Sequence, residues 1–171
     1  MSTQHSSSDQ RSPRPLDQTD LRILKLLVDD PRRSGRALAK EVGLSPSAVT
    51  ERINQLEERG VITGYTATVD MSKLERPMTA YVGMTLELGP EHQERSRQLT
   101  EIPEVETVIL TTGEFDVLLK IKVRDIEHLN EVLFRKLIEG GVGLVNSHSM
   151  LSLQTYDQPN YVSNVIDTLM E

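Results

Sequence analysis

Ser47, Thr50, Glu51 and Asn54 recur at spacings of three and four, so a helix over residues 46–59 would carry them on one face. Short polar side chains near a helix N-terminus reach base edges in the major groove of DNA, where hydroxyls and amides donate and accept. A carboxylate such as Glu51 repels phosphate but accepts from the cytosine amino group. Ser45 just ahead is a natural N-cap, and Pro46 fits the first helical position, where no N–H is needed. A helix started this way aims unpaired N–H groups at phosphate. Arg32, Arg33, Arg36, Lys40 and Arg52 are candidate phosphate contacts that would fix register rather than read sequence. Arg52 has a second reading, a structural ion pair with Glu57 or Asp20. A three-helix packing module without a nucleic-acid partner would show the same amphipathic pattern.

No constellation of side chains points to catalysis. The chain has no cysteine, which excludes disulfides, thiolate metal sites and cysteine nucleophiles. His5, His92, His128 and His148 lack metal-ligand spacing and read as surface or cap residues. Gly140-Gly141-Val142-Gly143 leads into a strand and lacks the Lys-Ser/Thr of a phosphate loop, so it reads as a helix stop. Glu104 and Glu106 flank what reads as an exposed strand start, where a raised carboxyl pKa is not expected. Neither a cofactor nor a metal is called for.

The elements that must position these residues follow from periodicity. Asp17 caps a first helix in which Leu21, Leu24 and Val28 recur, with Ile23 and Leu27 widening the stripe, and Asp30-Pro31 ends it. Ser34 caps a short second helix bearing Ala37, Leu38, Ala39 and Val42, stopped by Gly43. Leu44 is expected to pack inside the turn before the third helix, which buries Val49, Ile53 and Leu56 and closes at Gly60. Residues 61–69 alternate and read as a strand or hairpin wing.

The second half alternates differently. Ala80, Val82, Met84, Leu86 and Leu88 share one face of a strand, broken by Gly89-Pro90, and a weak helix follows over 91–102. Strands over 105–112 and 115–123 meet at Gly113-Glu114, with Phe115, Val117, Leu119, Ile121 and Val123 on the buried face. Ile126, Leu129, Leu133 and Leu137 mark a second helix, and a last strand spans 144–156 before a terminal helix over 161–170. The order β-α-β-β-α-β is that of a ferredoxin-like domain. The whole is α+β: a disordered tail over 1–15, a winged helix-turn-helix over 16–70 with its wing or linker to about residue 78, a ferredoxin-like βαββαβ domain over 79–157, and the terminal helix over 158–171.

Charge supports two modules. The net charge is -7, which argues against bulk coating of nucleic acid, yet up to Asp70 ten basic residues balance ten acidic ones. All the excess negative charge lies beyond. No apolar run approaches the roughly 18 residues of a membrane span, and the first fifteen residues lack the apolar core of a secretory signal, so a cytoplasmic protein with no membrane partner is expected.

The run Leu16-Asp17-Gln18-Thr19-Asp20, then Ile23-Leu24, Leu38-Ala39, Val42-Gly43-Leu44-Ser45, Arg52-Ile53, Leu56-Glu57, Gly60-Val61-Ile62 and Gly64-Tyr65 resembles the Lrp/AsnC transcriptional regulators. Ile102-Pro103-Glu104-Val105, Thr112-Gly113-Glu114-Phe115-Asp116 and Gly143-Leu144-Val145 extend the resemblance to about Tyr156. It implies a sequence-specific regulator of double-stranded DNA, assembled as a homodimer or a higher even oligomer. It also implies an effector, most often an amino acid, bound beside the turn of a Gly-x-x-Asp motif, here Gly113 and Asp116. A glycine lets backbone approach a ligand and an aspartate pairs with an α-ammonium group. Thr111, Thr112 and Glu114 adjoin the motif, and Ser147 and Ser149 stand where many members carry threonines. Gly113 and Asp116 have a plain reading too, as hairpin turn and cap. Rival functions are an Lrp-like tetrapyrrole-processing enzyme and an effector-binding module without DNA binding.

Overall fold

The computed structural model describes residues 15–171 except 88, 90 and 91. The tail expected over 1–15 thus lies outside the described residues but for Pro15, as do His5, Leu88, Pro90 and Glu91. The chain forms two compact units, one of residues up to Ala67 together with Asp157–Glu171, the other Thr68–Tyr156.

In the first unit, α1 (Gln18–Asp29) begins at a reciprocal capping box: Asp20 N–H donates to Asp17 and Asp17 N–H donates to Asp20. α2 (Gly35–Val42) starts at Ser34, whose hydroxyl accepts from Ala37 N–H, and stops at Gly43 in the left-handed region with φ 70°. α3 (Pro46–Glu58) starts at Ser45, which accepts from Ala48 N–H. Leu21, Ile23, Leu24, Leu27, Leu38, Ala39, Val49 and Leu56 form the core. Val28, expected in the stripe, is exposed, and Leu44 sits at the rim of its turn instead of inside it. α6 (Tyr161–Met170) completes this core with Ile166 and is tied to α1 by the Lys25–Asp167 ion pair. A terminal helix thus belongs to the helix-turn-helix unit, although 89 residues of the other unit separate it from Ala67 in sequence.

The expected strand over 61–69 is absent from this segment: it runs without strand pairing after Val61 and Ile62 donate to Leu56 O. Alternation marks a segment able to pair, but a strand also needs a second one beside it.

The second unit is a four-stranded antiparallel sheet in the order β2-β3-β1-β4, with β1 (Met78–Leu86), β2 (Val105–Leu110), β3 (Val117–Val123) and β4 (Leu144–Leu151). Between them come α4 (His92–Gln98) with a 3₁₀ turn (Leu99–Glu101), and α5 (Ile126–Glu131) continued by a π-helical segment (Val132–Ile138). Ala80, Val82, Met84 and Leu86 of β1 meet Val117, Leu119, Ile121 and Val123 of β3 under Leu99, Leu129, Val132 and Leu137. β2, β3 and β4 are all shorter than their alternation suggested. The π-helical segment changes which residues are buried. Its longer turn puts Val132 and Leu137, five apart, in the core, while Phe134 and Ile138 turn outward. Ile126, expected inside, is exposed, and Leu133 only borders the core.

Candidate functional site

Two groups of residues carry the functional expectations, one in each unit. In the head, Gly43 and Leu44 both donate to Ala39 O, which turns the chain sharply between α2 and α3. Ser45, Ser47, Thr50, Glu51 and Asn54 are exposed on α3. Thr50 Oγ1 donates to Pro46 O at 3.0 Å, Ser45 and Ser47 hydroxyls lie 3.0 Å apart, and Gln55 donates to Glu51 at 2.9 Å. These local bonds hold the short side chains against the helix, so their rotamers are partly set before any partner arrives. Arg32, Arg36 and Lys40 are exposed beside them, while Arg33 is half-buried near Asp30.

Arg52 takes up the second of its two readings, a structural ion pair. It lies on α3 among the expected phosphate contacts, yet its Nη1 donates to Asp17 at 2.8 Å and to Asp20 at 2.6 Å. Its side chain is 26% exposed, and that of Asp20 only 5%. Both carboxylates belong to the capping box of α1, so the guanidinium clamps the start of α1 onto α3. These two carboxylates hold its pKa above the ordinary arginine value, chiefly through the Asp17 hydrogen bond. The alternative partner Asp20 is the one observed, with Asp17 beside it.

In the second unit, residues 111–116 form a loop stitched to the end of β1. Asp116 N–H donates to Met84 O, Leu86 N–H donates to the Asp116 carboxylate at 2.9 Å, and Thr85 donates to Glu114 O. Within the loop Thr111 N–H donates to Asp116 O and its hydroxyl to Phe115 O. Gly113 has φ 114°, a conformation that favours glycine. Thr111, Thr112, Gly113 and Glu114 are exposed and Asp116 is half-buried. The carboxylate of Asp116 thus caps β1 through one oxygen. That bond fixes its orientation.

Ser147 and Ser149 face Met84 and Val82 across the β1–β4 ladder, on the same side of the sheet as the core, and are exposed because β4 is an edge strand. Since Met84 also pairs with Val117, two strand spacings, roughly 10 Å, separate the 117 position from Ser147.

Phe115 departs from its expected place. Its ring covers Gly83 on the opposite face of the sheet from Val82, and a Cβ at 83 would stand 2.6 Å from that ring. The loop ends the alternation before β3 begins, so parity counted back from Val117 fails at 115. His148 pairs with Gly83 in register, and its ring centroid lies 6.4 Å from that of Phe115. Sequence reasoning missed this aromatic lid; the glycine inside an otherwise β-branched and aliphatic strand was its available signal.

Glu104 and His128 are also corrections, being buried rather than at the surface. His128 Nδ1 accepts from Arg124 N–H, so its Nε2 carries the hydrogen donated to Glu104 at 3.1 Å. Lys136 donates to both Glu104 oxygens, at 2.8 and 2.7 Å. The cluster joins the start of β2 to the second helix.

The geometry defines a unit built on a helix-turn-helix and a second unit built on a four-stranded antiparallel sheet, and comparison with known proteins says what class of protein carries such a pair. Residues 16–63 match the winged helix-turn-helix DNA-binding family, and residues 79–162 match the Lrp/AsnC ligand binding domain. An HTH-type transcriptional regulator, FL11, from Pyrococcus horikoshii is 35% identical over 144 residues, covering 84% of this chain and 93% of the relative. A leucine-responsive regulatory protein from Salmonella typhimurium is 35% identical over 133 residues, covering 77% and 81%. The solved structure of E. coli AsnC superposes with a TM-score of 0.77 at 26% identity, over 85% of this chain and 97% of that one. The chain belongs to the Lrp/AsnC family and is a DNA-binding transcriptional regulator with a ligand-binding domain. The relatives named here are regulators, not enzymes. Among the described residues no helix is long and apolar enough to cross a membrane.

Proposed function

We propose that α3 reads operator DNA through Ser47, Thr50, Glu51 and Asn54, that Ser45, Arg32, Arg33, Arg36 and Lys40 set the register on phosphate, and that an amino acid modulates the outcome. The observation that carries this reading is the exposed polar face of a serine-capped α3, set by the tight turn at Gly43-Leu44 after an α2 that carries exposed Arg36 and Lys40. The chain up to Asp70 is neutral and α6 with its approach adds only acidic residues to this unit, so useful affinity comes from several heads acting together in a homodimer or larger even assembly. The effector's ammonium group pairs with Asp116, its carboxylate meets backbone N–H groups at Gly113 and hydroxyls of Thr111 and Thr112, and Ser147 and Ser149 complete the contacts with Glu114 at the rim. The relative named for its response to leucine supports an amino acid as effector. The effector acts through unequal affinity for two assemblies or two DNA-bound arrangements, since nothing else lets a ligand shift an equilibrium.

Purified protein is expected to retard its own upstream DNA in a gel, with affinity falling steeply as salt rises. Arg36→Ala and Lys40→Ala should each weaken binding to every sequence and lower the salt slope by about 1, whereas Ser47→Ala and Thr50→Ala should change sequence preference. Binding no tighter than to random DNA at low salt sinks the regulator reading.

The effector is tested separately. A thermal-shift screen of the twenty amino acids should find a stabiliser that raises the Tm of the ligand-binding unit by about 10–20 °C at a hundredfold excess over Kd. Asp116→Ala should abolish that shift. A screen in which no amino acid stabilises the protein rejects the amino-acid assignment.

A further inference from the structure

The apolar residues of the helix over 126–138 fit two helical registers, and the structure uses the rarer of the two. At 3.6 residues per turn Ile126, Leu129, Leu133 and Leu137 fall on one stripe, and Val132 lies roughly 100° from its centre. In the π-helical segment Glu139 N–H donates to Phe134 O, five residues back, and the core receives Leu129, Val132 and Leu137 instead. Ile126 is left 52% exposed and Leu133 only borders the core. The apolar set of an α register is therefore complete in the sequence and half unused.

The Glu104 cluster supplies a reason for the π turn. His128 and Lys136 stand eight residues apart, which in an α-helix separates them by roughly 80° around the axis. A π turn takes up one extra residue and brings that angle to roughly 20°, so both side chains meet the Glu104 carboxylate. The α register offers this buried carboxylate one of the two, and a buried charge without its partner is costly. Gly140 suits the same arrangement, because a Cβ there would stand 2.1 Å from Lys136 O at the end of the π segment. The cluster also reaches beyond the helix. Glu104 O accepts from Lys122 N–H, and the next residue opens β2, the strand that runs into the loop at 111–116.

We propose that residues 126–138 form a two-register switch latched in the π register by Glu104, His128 and Lys136. Releasing the latch lets the helix take the α register: Ile126 and Leu133 enter the core, and Val132 leaves it. Such a change rotates a packed helix face by part of a turn between two discrete arrangements, which is how packed elements switch. The latch stands at the start of the strand that leads to the candidate effector loop, so register and loop share β2. The switch is independent of the function proposed above; only a link between register and effector rests on that reading.

Because the chain has no cysteine, a single introduced thiol reports on one position. Ile126→Cys and Val132→Cys are compared in the full-length protein by N-ethylmaleimide labelling followed by mass spectrometry. Each is made alone and together with the pair Glu104→Gln and Lys136→Met. That pair removes the charge and its partner at once, so it frees the latch without stranding a buried charge. With the latch intact the thiol at 126 should label at least about tenfold faster than the one at 132, where the side chain is fully buried. With the latch removed the order should reverse. Any other result in a protein that still melts cooperatively, above all the same order in both backgrounds, overturns the proposal. Should the latch-free protein lack a cooperative melt, Gly140→Ala decides. It leaves the cluster side chains in place and displaces the Lys136 carbonyl, so it should raise labelling at 132 and lower it at 126. Unchanged labelling in Gly140→Ala then overturns the switch. The amino-acid screen above reads the effector alone, so either reading can fail without the other.

Discussion

Arg52→Ala is expected to melt the DNA-binding unit rather than merely weaken its grip on DNA. The substitution takes the guanidinium from two carboxylates, one of which, on Asp20, is 5% exposed. Breaking a buried pair from one side costs about 3–5 kcal/mol, and the greater exposure of Asp17 brings the expected loss to about 2–3 kcal/mol. For a unit of this size that lowers Tm by about 10–20 °C, measurable by circular dichroism of the full chain. Adding Asp20→Asn to Arg52→Met removes the buried charge together with its partner and should recover much of the loss. A phosphate contact predicts differently. Measured at low temperature, where the variant is folded, it would flatten the salt dependence of DNA binding by about 0.9, whereas a clamp leaves that slope unchanged. A slope reduced by that amount in a protein of normal stability would return Arg52 to the DNA.

Arg52 also shows which features the sequence made legible. Asp17, Ser34, Ser45 and Gly43 announce themselves because a cap acts within three or four residues of its own position, and all four cap as read. Strand parity is local too, so the faces of β1 and β3 follow from alternation alone. The failures are long-range. Arg52 meets carboxylates 32 and 35 residues away, and no periodicity says which acid an arginine will find. α6 was legible as a helix, but nothing in residues 161–170 says that Ile166 joins a core begun at Leu21. The segment 61–69 carries a strand's alternation and has no strand beside it. Leu129 and Leu137 are buried as read, but Val132 takes the place expected for Leu133, because the π-helical turn sets it five residues from Leu137, a spacing the 3.6-residue rule cannot register. At the candidate effector loop the residue types were readable, while the docking of Asp116 onto Leu86 depends on β1 and β3 being neighbours first.

The buried cluster at Glu104 leads to a prediction whose sign is diagnostic. Burial pushes the Glu104 carboxyl up, but hydrogen bonds from Lys136, from backbone and from His128, with the Lys136 charge, outweigh it and leave the pKa below the ordinary value. A carboxyl depressed in the folded state contributes stability above its unfolded pKa, and that contribution fades as pH falls through the folded pKa. The contribution of Glu104 should therefore be complete above the ordinary carboxylate range and fade as pH falls below it. Lys136→Met removes the principal compensation and keeps the burial, so desolvation decides and the carboxyl moves up instead. The variant should lose about 3 kcal/mol near neutral pH. It should regain part of this as pH is lowered toward 5, where protonation relieves the buried charge. Urea denaturation followed across that range gives the comparison directly. Glu104→Gln in the same background should restore stability at neutral pH and remove the acid gain. A Lys136→Met protein that weakens on acidification in parallel with the wild type would show that Lys136 does not hold the Glu104 charge.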